Sequence, residues 1–184
     1  YSGTEMKLYI NGVQDATTTV ATPMVISTQN LSIGEGSMWK ERRFTGKMGD
    51  LRFWNVVRTA SEISSNMSAS LVGTEAGLIA NWKMNEGTGS TIADATGNHS
   101  LTKPADVAWF VPEVENEITV IAPVSGLIFD GTKANSLVDL GNVAAITSPS
   151  EFTVEALVNY STLAGGYILS SEGSPAAGDE QGFS

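Results

Sequence analysis

Carboxylates and a single histidine are the residues of this sequence that could carry out acid–base chemistry. Enzymes that cleave glycosidic bonds use two carboxyl groups, one as acid and the other as nucleophile or base. On a strand, such a pair needs acidic residues at alternate positions, so that both lie on one face. The nearest approach is Glu151 and Glu155, but Glu151 lies beside Pro149 at the strand entry, and both are expected to face solvent. With His99 placed in a turn and without a partner for a Ser-His-Asp triad, the sequence predicts a protein that is not an enzyme.

A turn-rich stretch, Asp94-Ala-Thr-Gly-Asn98, supplies oxygen atoms that suit a different chemistry. Calcium prefers carboxylate, amide and backbone oxygens gathered on loops, and Gly97 allows the backbone to turn. We therefore take Asp94 and Asn98 as candidate calcium ligands, although their spacing is not that of an EF-hand. The alternative is purely conformational, because Asp, Asn and Gly are also the commonest turn formers.

One tryptophan lies outside the strand patterns. Trp39 occurs in the glycine-rich, charged stretch GEGSMWKERR, beside Arg42 and Arg43. An exposed indole can stack on the apolar face of a sugar ring while polar neighbours bond its hydroxyl groups. We predict that these three residues bind ligand, with Trp39 folded back as a lid over the domain as the alternative. The remaining tryptophans fit strand patterns and are predicted to lie in the core: Trp54, Trp82 and Trp109.

Strands must position these side chains, and two are predicted with sharp alternation. Over residues 4–10, Met6, Leu8 and Ile10 fall on one face, as in a half-buried strand. Asn11-Gly12 follows and predicts a type I′ hairpin turn. Residues 152–160 alternate in the same way between apolar and mainly polar positions.

One short helix is predicted near residues 59–68. Thr59 and Glu62 have the spacing of a capping box, in which each side chain bonds the backbone N–H of the other residue. Ile63 and Met67 would then face inward. Since the other segments are short strands separated by glycine-rich turns, the fold class predicted is all-β, an antiparallel β-sandwich of the jelly-roll type.

Longer phrases of the sequence resemble the laminin-G-like (concanavalin A-like lectin/glucanase) jelly-roll family, in its bacterial type. MKLYINGVQ, NLSIGEG, FTGKMGDLRFWNVVRTASEI and GLIANWKMNEGTGSTIADATGNHSLT are similar to the back part of such a domain. LIFDGTKANSLVDLG and SEFTVEALVNYSTLAGGYILSSEG are similar to the front part. Relatives of this fold often hold a structural calcium ion, and the resemblance therefore adds Asp50 and Asp130 to Asp94 as candidate ligands.

The order of these parts is reversed, with the back part first. We predict that residues 1–111 are the C-terminal part of one domain, 112–124 a linker, and 125–184 the N-terminal part of a following domain. The alternative is that both parts form one permuted sandwich. The acidic stretch bracketed by Pro112 and Pro123 supports the linker assignment.

Charge and composition limit the partners. Twenty acidic residues against ten basic ones give a net charge of -10, which disfavours nucleic acid and anionic lipid, and no apolar run is long enough for a membrane span. The resemblance then implies a non-catalytic binding module of a secreted or cell-surface multidomain protein. Its expected partner is a glycan, with calcium as the expected cofactor. The alternative functions are a structural or adhesive spacer that binds a cell-surface protein and, third, a fragment of a polysaccharide-active enzyme.

Overall fold

The computed structural model describes residues 1–21, 30–35, 43–110, 126–130, 137–141, 151–160 and 169–170, and the structural statements below refer to these residues. They contain strands joined by turns, and one short helix. The elements, in chain order, are β1 (Glu5–Ile10), β2 (Val13–Thr19), β3 (Leu31–Ile33), β4 (Thr45–Trp54), α1 (Ala60–Asn66), β5 (Leu78–Trp82), β6 (Thr91–Ile92), β7 (Leu101–Thr102), β8 (Ala108–Phe110), β9 (Gly126–Asp130), β10 (Val138–Gly141), β11 (Thr153–Tyr160) and β12 (Leu169–Ser170).

Strand β4 organises the largest sheet, which has five strands. On one side it pairs with β11, and on the other with β9 through its first half and β5 through its second half. Strand β8 extends this sheet beyond β9. The register of β4 with β11 shifts around Asp50, whose φ of 47° lies in the left-handed region. Two residues of β4, Asp50 and Leu51, therefore lie opposite Ala156 alone, so the bulge belongs to β4 and β11 stays regular.

A second sheet has the order β10–β3–β12, and its buried residues join those of the five-stranded sheet in one core. Leu31 and Ile33 of β3, Phe53 of β4 and Phe129 of β9 are at most 1% exposed. All pairings in both sheets are antiparallel. The fold class predicted from the sequence, an antiparallel β-sandwich, is confirmed.

Strands from both ends of the chain form these sheets together. In the five-stranded sheet, β9 and β11 from residues 126–160 pair with β4, and in the second sheet β10 and β12 pair with β3. This pairing is the one that a single permuted sandwich requires. The proposed linker, residues 112–124, lies outside the described residues. The division into two domains stays a prediction.

The N-terminal hairpin forms as its turn predicts, because Asn11 and Gly12 have φ values of 51° and 75°. Strand β1 does not bury the face that its alternation suggested, since Met6, Leu8 and Ile10 are 38%, 54% and 53% exposed. The hairpin turn instead packs on α1, where a Cβ on Gly12 would lie 3.0 Å from Ser64 Cα.

Helix α1 begins at the predicted capping box. The Thr59 hydroxyl accepts from the Glu62 N–H at 3.2 Å, and the Glu62 carboxylate accepts from the Thr59 N–H at 2.8 Å. The expectation that Met67 faces inward is wrong, because its side chain is 52% exposed and the helix has no fully buried residue. In the described part of the chain, no helix has the length and apolar character of a membrane span.

Candidate binding site

A groove of about 300 Å³ lies across strands β4, β8, β9 and β11 of the five-stranded sheet. Two glycines of its lining, Gly49 and Gly126, contribute no side chains, so the backbone can form the floor there. Phe110 is paired with Gly126 across β8 and β9, and Leu157 is paired with Gly49 across β11 and β4. A large apolar residue thus lies beside each glycine, which leaves an apolar recess in the sheet surface.

Gly126 is required by close backbone packing. A Cβ at this position would lie 2.4 Å from the carbonyl oxygen of Met48, a separation that real Cβ atoms essentially never show. Any side chain at position 126 would therefore push β9 away from β4. Gly126 therefore allows β9 to pack closely on β4 and also leaves the groove floor free of a side chain.

Polar groups border the recess on one side. Lys47 and Asn159 are directly paired across β4 and β11, and both line the groove. The Lys47 ammonium lies 3.7 Å from the centroid of the Phe110 ring, a cation–π contact. Because alternate residues of a strand face opposite sides, Lys47 is exposed while its neighbour Met48 is 1% exposed in the core. The groove therefore combines an aromatic ring, an ammonium and an amide on the sheet face opposite the core.

Of the three residues predicted to bind ligand, Arg43 is within the described residues, whereas Trp39 and Arg42 lie outside them. Arg43 forms a β-bridge with Glu35, and its Nε donates to Glu35 Oε1 at 2.9 Å. Glu35 is fully buried, and among the described residues its second carboxylate oxygen has no hydrogen-bond partner. Arg43 is thus the counter-ion of a buried carboxylate at the end of β3.

The carboxylate of Asp94 is surrounded by donors from its own turn and from Asn81 of β5. Its oxygens accept from the backbone N–H groups of Asn81, Thr96, Asn98 and His99 at 2.8–3.2 Å, and from the Thr96 hydroxyl at 2.5 Å. Burial raises the pKa of this carboxyl, but hydrogen bonds from the Thr96 hydroxyl and from these N–H groups outweigh it and hold the pKa below its usual value. Asp94 therefore acts as the centre of a turn, in which both of its carboxylate oxygens accept hydrogen bonds.

The other candidate calcium ligands have separate contacts. Asp50 accepts from Asn81 Nδ2 at 2.7 Å and forms an ion pair with Arg52, while Asp130 is paired with Thr45 at the end of β9. The Asn98 amide donates to the Thr96 hydroxyl at 3.3 Å. Asn81 joins Asp50 to Asp94, but among the described ranges no group of three His, Cys, Asp or Glu residues is placed to hold a metal ion. Calcium binding stays a prediction, and these positions do not converge on one site.

A buried polar network that sequence reasoning did not foresee lies where β4 and β11 face α1. Arg52 is 2% exposed and donates to the carbonyl oxygens of Asn66 at 2.9 Å and of Ala69 at 2.5 Å, which ties the end of the helix to the sheet. Glu155, directly opposite on β11, has an Oε2 that lies 3.8 Å from Arg52 Nη1 and accepts from Trp54 Nε1 at 2.8 Å.

The prediction that Glu155 faces solvent is therefore wrong, since its side chain is only 14% exposed. The predicted core positions of Trp54 and Trp82 are confirmed at 1% and 0% exposure, whereas Trp109 is only partly buried. One sequence signal could have indicated the network, because β4 alternation puts Arg52 and Trp54 on the same strand face.

The architecture is that of an antiparallel β-sandwich. Residues 1–64 match the family model of the concanavalin A-like lectin/glucanases superfamily, and the match supports the laminin-G-like resemblance. Comparison with curated proteins and with solved structures gives no significant match.

Proposed function

We propose that this chain is a non-catalytic carbohydrate-binding module and that the groove beside Phe110 is its ligand surface. The observation that carries the proposal is the combination of an aromatic ring, the Lys47 ammonium and the Asn159 amide around an apolar recess. A sugar ring presents C–H groups on one face and hydroxyls at its rim. An aromatic surface with polar groups beside it complements both features.

Lys47 narrows the class of sugar. The chain carries a net charge of -10, so a lysine in the groove is a local positive group on an acidic protein. A ligand carboxylate or sulfate can form an ion pair with the Lys47 ammonium, whereas a sugar hydroxyl carries no opposite charge. We therefore expect oligosaccharides that contain uronic acid or sulfate groups to bind more tightly than neutral ones.

The positions and contacts of the carboxylates in and near the groove support the proposal that the module is not an enzyme. Glycoside hydrolysis needs two carboxyl groups on either side of the bond. Neither Lys47 nor its groove neighbours supplies one, and Glu155 is engaged by Trp54 and Arg52. As part of the same proposal, the module belongs to a secreted or cell-surface multidomain protein, where glycans are encountered.

The experiment is binding of the intact chain to a printed array of defined neutral and acidic oligosaccharides. Phe110→Ala and Lys47→Ala should each weaken binding about tenfold, equivalent to ~1.4 kcal/mol. Leu8→Ala and Val72→Ala provide matched controls, because both residues are exposed and apolar but lie outside the groove lining. The controls should bind like the parent chain.

Two results would contradict the proposal. Unchanged binding by both groove variants would indicate that the ligand binds another surface. A further variant, Trp39→Ala, would then test the residues predicted from the sequence to bind ligand. An absence of binding by the parent chain to every oligosaccharide would favour the spacer function, in which the module holds or contacts protein partners. Circular dichroism melts of each variant separate loss of binding from loss of folding.

A further inference from the structure

The contact between Lys47 and Phe110 crosses a strand of the five-stranded sheet. Lys47 of β4 is directly paired with Ile128 of β9, whereas Phe110 of β8 is paired with Gly126, two positions away on β9. Because neighbouring strands lie about 4.8 Å apart, the backbones of Lys47 and Phe110 are separated by at least about 10 Å. The lysine side chain therefore extends over β9 to bring its ammonium 3.7 Å from the centroid of the Phe110 ring.

Gly126 leaves this path open. Directly paired residues project to the same face of a sheet, as do residues two positions apart on one strand, so Lys47, Ile128, Gly126 and Phe110 share one face. Gly126 lies beside the ring and has no side chain to keep the lysine stem away from the sheet. The glycine required for close packing of β9 on β4 thus also allows the contact between Lys47 and Phe110.

The ammonium covers a ring face on which a sugar could stack. Both residues line the groove, so their contact lies within it. At 3.7 Å from the centroid, the ammonium is as close to the ring as non-bonded atoms in direct contact. One face of one ring cannot hold the ammonium and a sugar together. A sugar that stacks on this face of Phe110 must therefore displace Lys47.

The contacts open to the displaced ammonium depend on the ligand. Among the described residues, none of the ion pairs includes Lys47, and its cross-strand partner on β11, Asn159, is uncharged. A neutral sugar removes the cation–π contact and offers no charge in return, whereas a carboxylate or sulfate provides a charged partner. Neutral ligands therefore lose a contact that acidic ligands replace.

We propose that Lys47 is the selectivity gate of the groove, a role that rests on the proposed glycan function. In the free chain its ammonium covers the Phe110 ring. A sugar with an anionic group draws the ammonium off the ring and stacks in its place. A neutral sugar of the same shape must compete with the ammonium for the ring. Lys47 thus attracts acidic glycans and also disfavours neutral ones.

The covered state of the ring is tested by NMR on the full chain. Protons above an aromatic ring are shifted upfield, so the Lys47 ε-methylene protons should resonate upfield of their position in Phe110→Leu. Equal positions in the two chains would overturn the gate, since the ammonium would then not lie on the ring. Tetragalacturonate, or the uronic acid oligomer of this length that binds most tightly on the array, should abolish the upfield shift. A shift that persists while the oligomer saturates the chain would overturn the gate and leave the glycan function standing.

Selectivity is tested with Lys47→Ala and with the methyl ester of the same oligomer, which keeps the sugar chain but removes its carboxylate charges. The variant should bind the acid about tenfold more weakly than the parent chain. It should bind the ester about two- to fivefold more tightly, the fold-change that corresponds to an exposed cation–π contact. Lys7→Ala is the matched control, because it removes the same charge from the exposed hairpin, outside the groove lining. The control should bind both probes like the parent.

Tighter binding of the ester also excludes misfolding, since a misfolded variant would lose affinity for both probes. Ester binding that is unchanged or weakened in Lys47→Ala would show that Lys47 only contacts the ligand, and it would overturn the gate. Absence of binding by the parent chain to every acidic and neutral oligosaccharide would instead remove the glycan function on which the gate depends.

Discussion

Trp54 and Glu155 are 101 positions apart in the sequence, yet the indole Nε1 donates to the Glu155 carboxylate at 2.8 Å across the β4–β11 pair. An oxygen of the same carboxylate lies 3.8 Å from the buried guanidinium of Arg52. This contact joins the two halves of the chain through side chains as well as through backbone pairing.

Replacing Glu155 should destabilise the protein. Glu155→Ala leaves the Trp54 N–H without an acceptor and removes a counter-charge from Arg52, at a cost of about 1–3 kcal/mol. Glu155→Gln keeps an acceptor and should cost less. Urea unfolding followed by tryptophan fluorescence measures the change, with the exposed Glu151→Gln as control. A Glu155→Ala midpoint equal to that of the control would show that the network adds no stability.

Protonation of Asp94 should make the free energy of unfolding depend on pH. The folded state holds the pKa of this carboxyl below its unfolded value, so its contribution is present above the unfolded pKa and is lost as pH falls through the folded pKa. The free energy of unfolding should therefore decline below about pH 4, and Asp94→Asn should reduce that decline. The exposed Asp15→Asn serves as the control. A decline of the same size in Asp94→Asn and control would contradict the assignment.

Gly126→Ala should disturb the sheet and the groove together. Its methyl group would lie 2.4 Å from the Met48 carbonyl oxygen, and relief of that overlap requires β9 to shift. We expect a loss of more than about 1 kcal/mol in the free energy of unfolding, the range of overpacking substitutions. Thermal melts measure it, and Ala108→Gly in the adjoining β8 is a control of similar size change. A full parental melting temperature would show that the close approach is readily relaxed.

The contacts of Asp94 and Asp50 predict that calcium removal leaves the melting midpoint unchanged, whereas the calcium site predicted from the sequence requires the midpoint to fall. The oxygens of Asp94 already accept five hydrogen bonds, and Asp50 is paired with Arg52, so a cation at either position would have to compete with these contacts. Melts with EDTA and with added CaCl₂ test this expectation. A midpoint that falls in EDTA and recovers with calcium would establish a cation site and restore the prediction made from the turn.

Local features of the fold were predictable because their causes are local. Asn11 and Gly12 form a type I′ turn since both tolerate positive φ, and Thr59 caps α1 through atoms only three residues apart. Burial is different, because it depends on what covers a face. Alternation in β1 indicated two faces, but it did not indicate that the apolar face would stay in solvent, where Leu8 is 54% exposed.

The candidate site was less predictable for the same reason. The groove needs Lys47, Phe110 and Leu157 to meet on one sheet, and these residues come from three strands far apart in sequence. Glu155 was expected in solvent because a strand pattern does not reveal that Trp54 and Arg52 will face it. The assembly of the groove and the burial of Glu155 therefore both depend on pairing between strands that are distant in sequence.

Strand β4 also sets the order in which the core can be completed during synthesis. It is made before its partners β9 and β11, which begin at Gly126 and Thr153. Ribosomes add about 5–20 residues per second, so the first half of β4, with the buried side chain of Met48, waits several seconds for its strand partners. Sheets built from such distant pairs fold slowly, and during that interval the first half of β4 lacks both of its neighbouring strands.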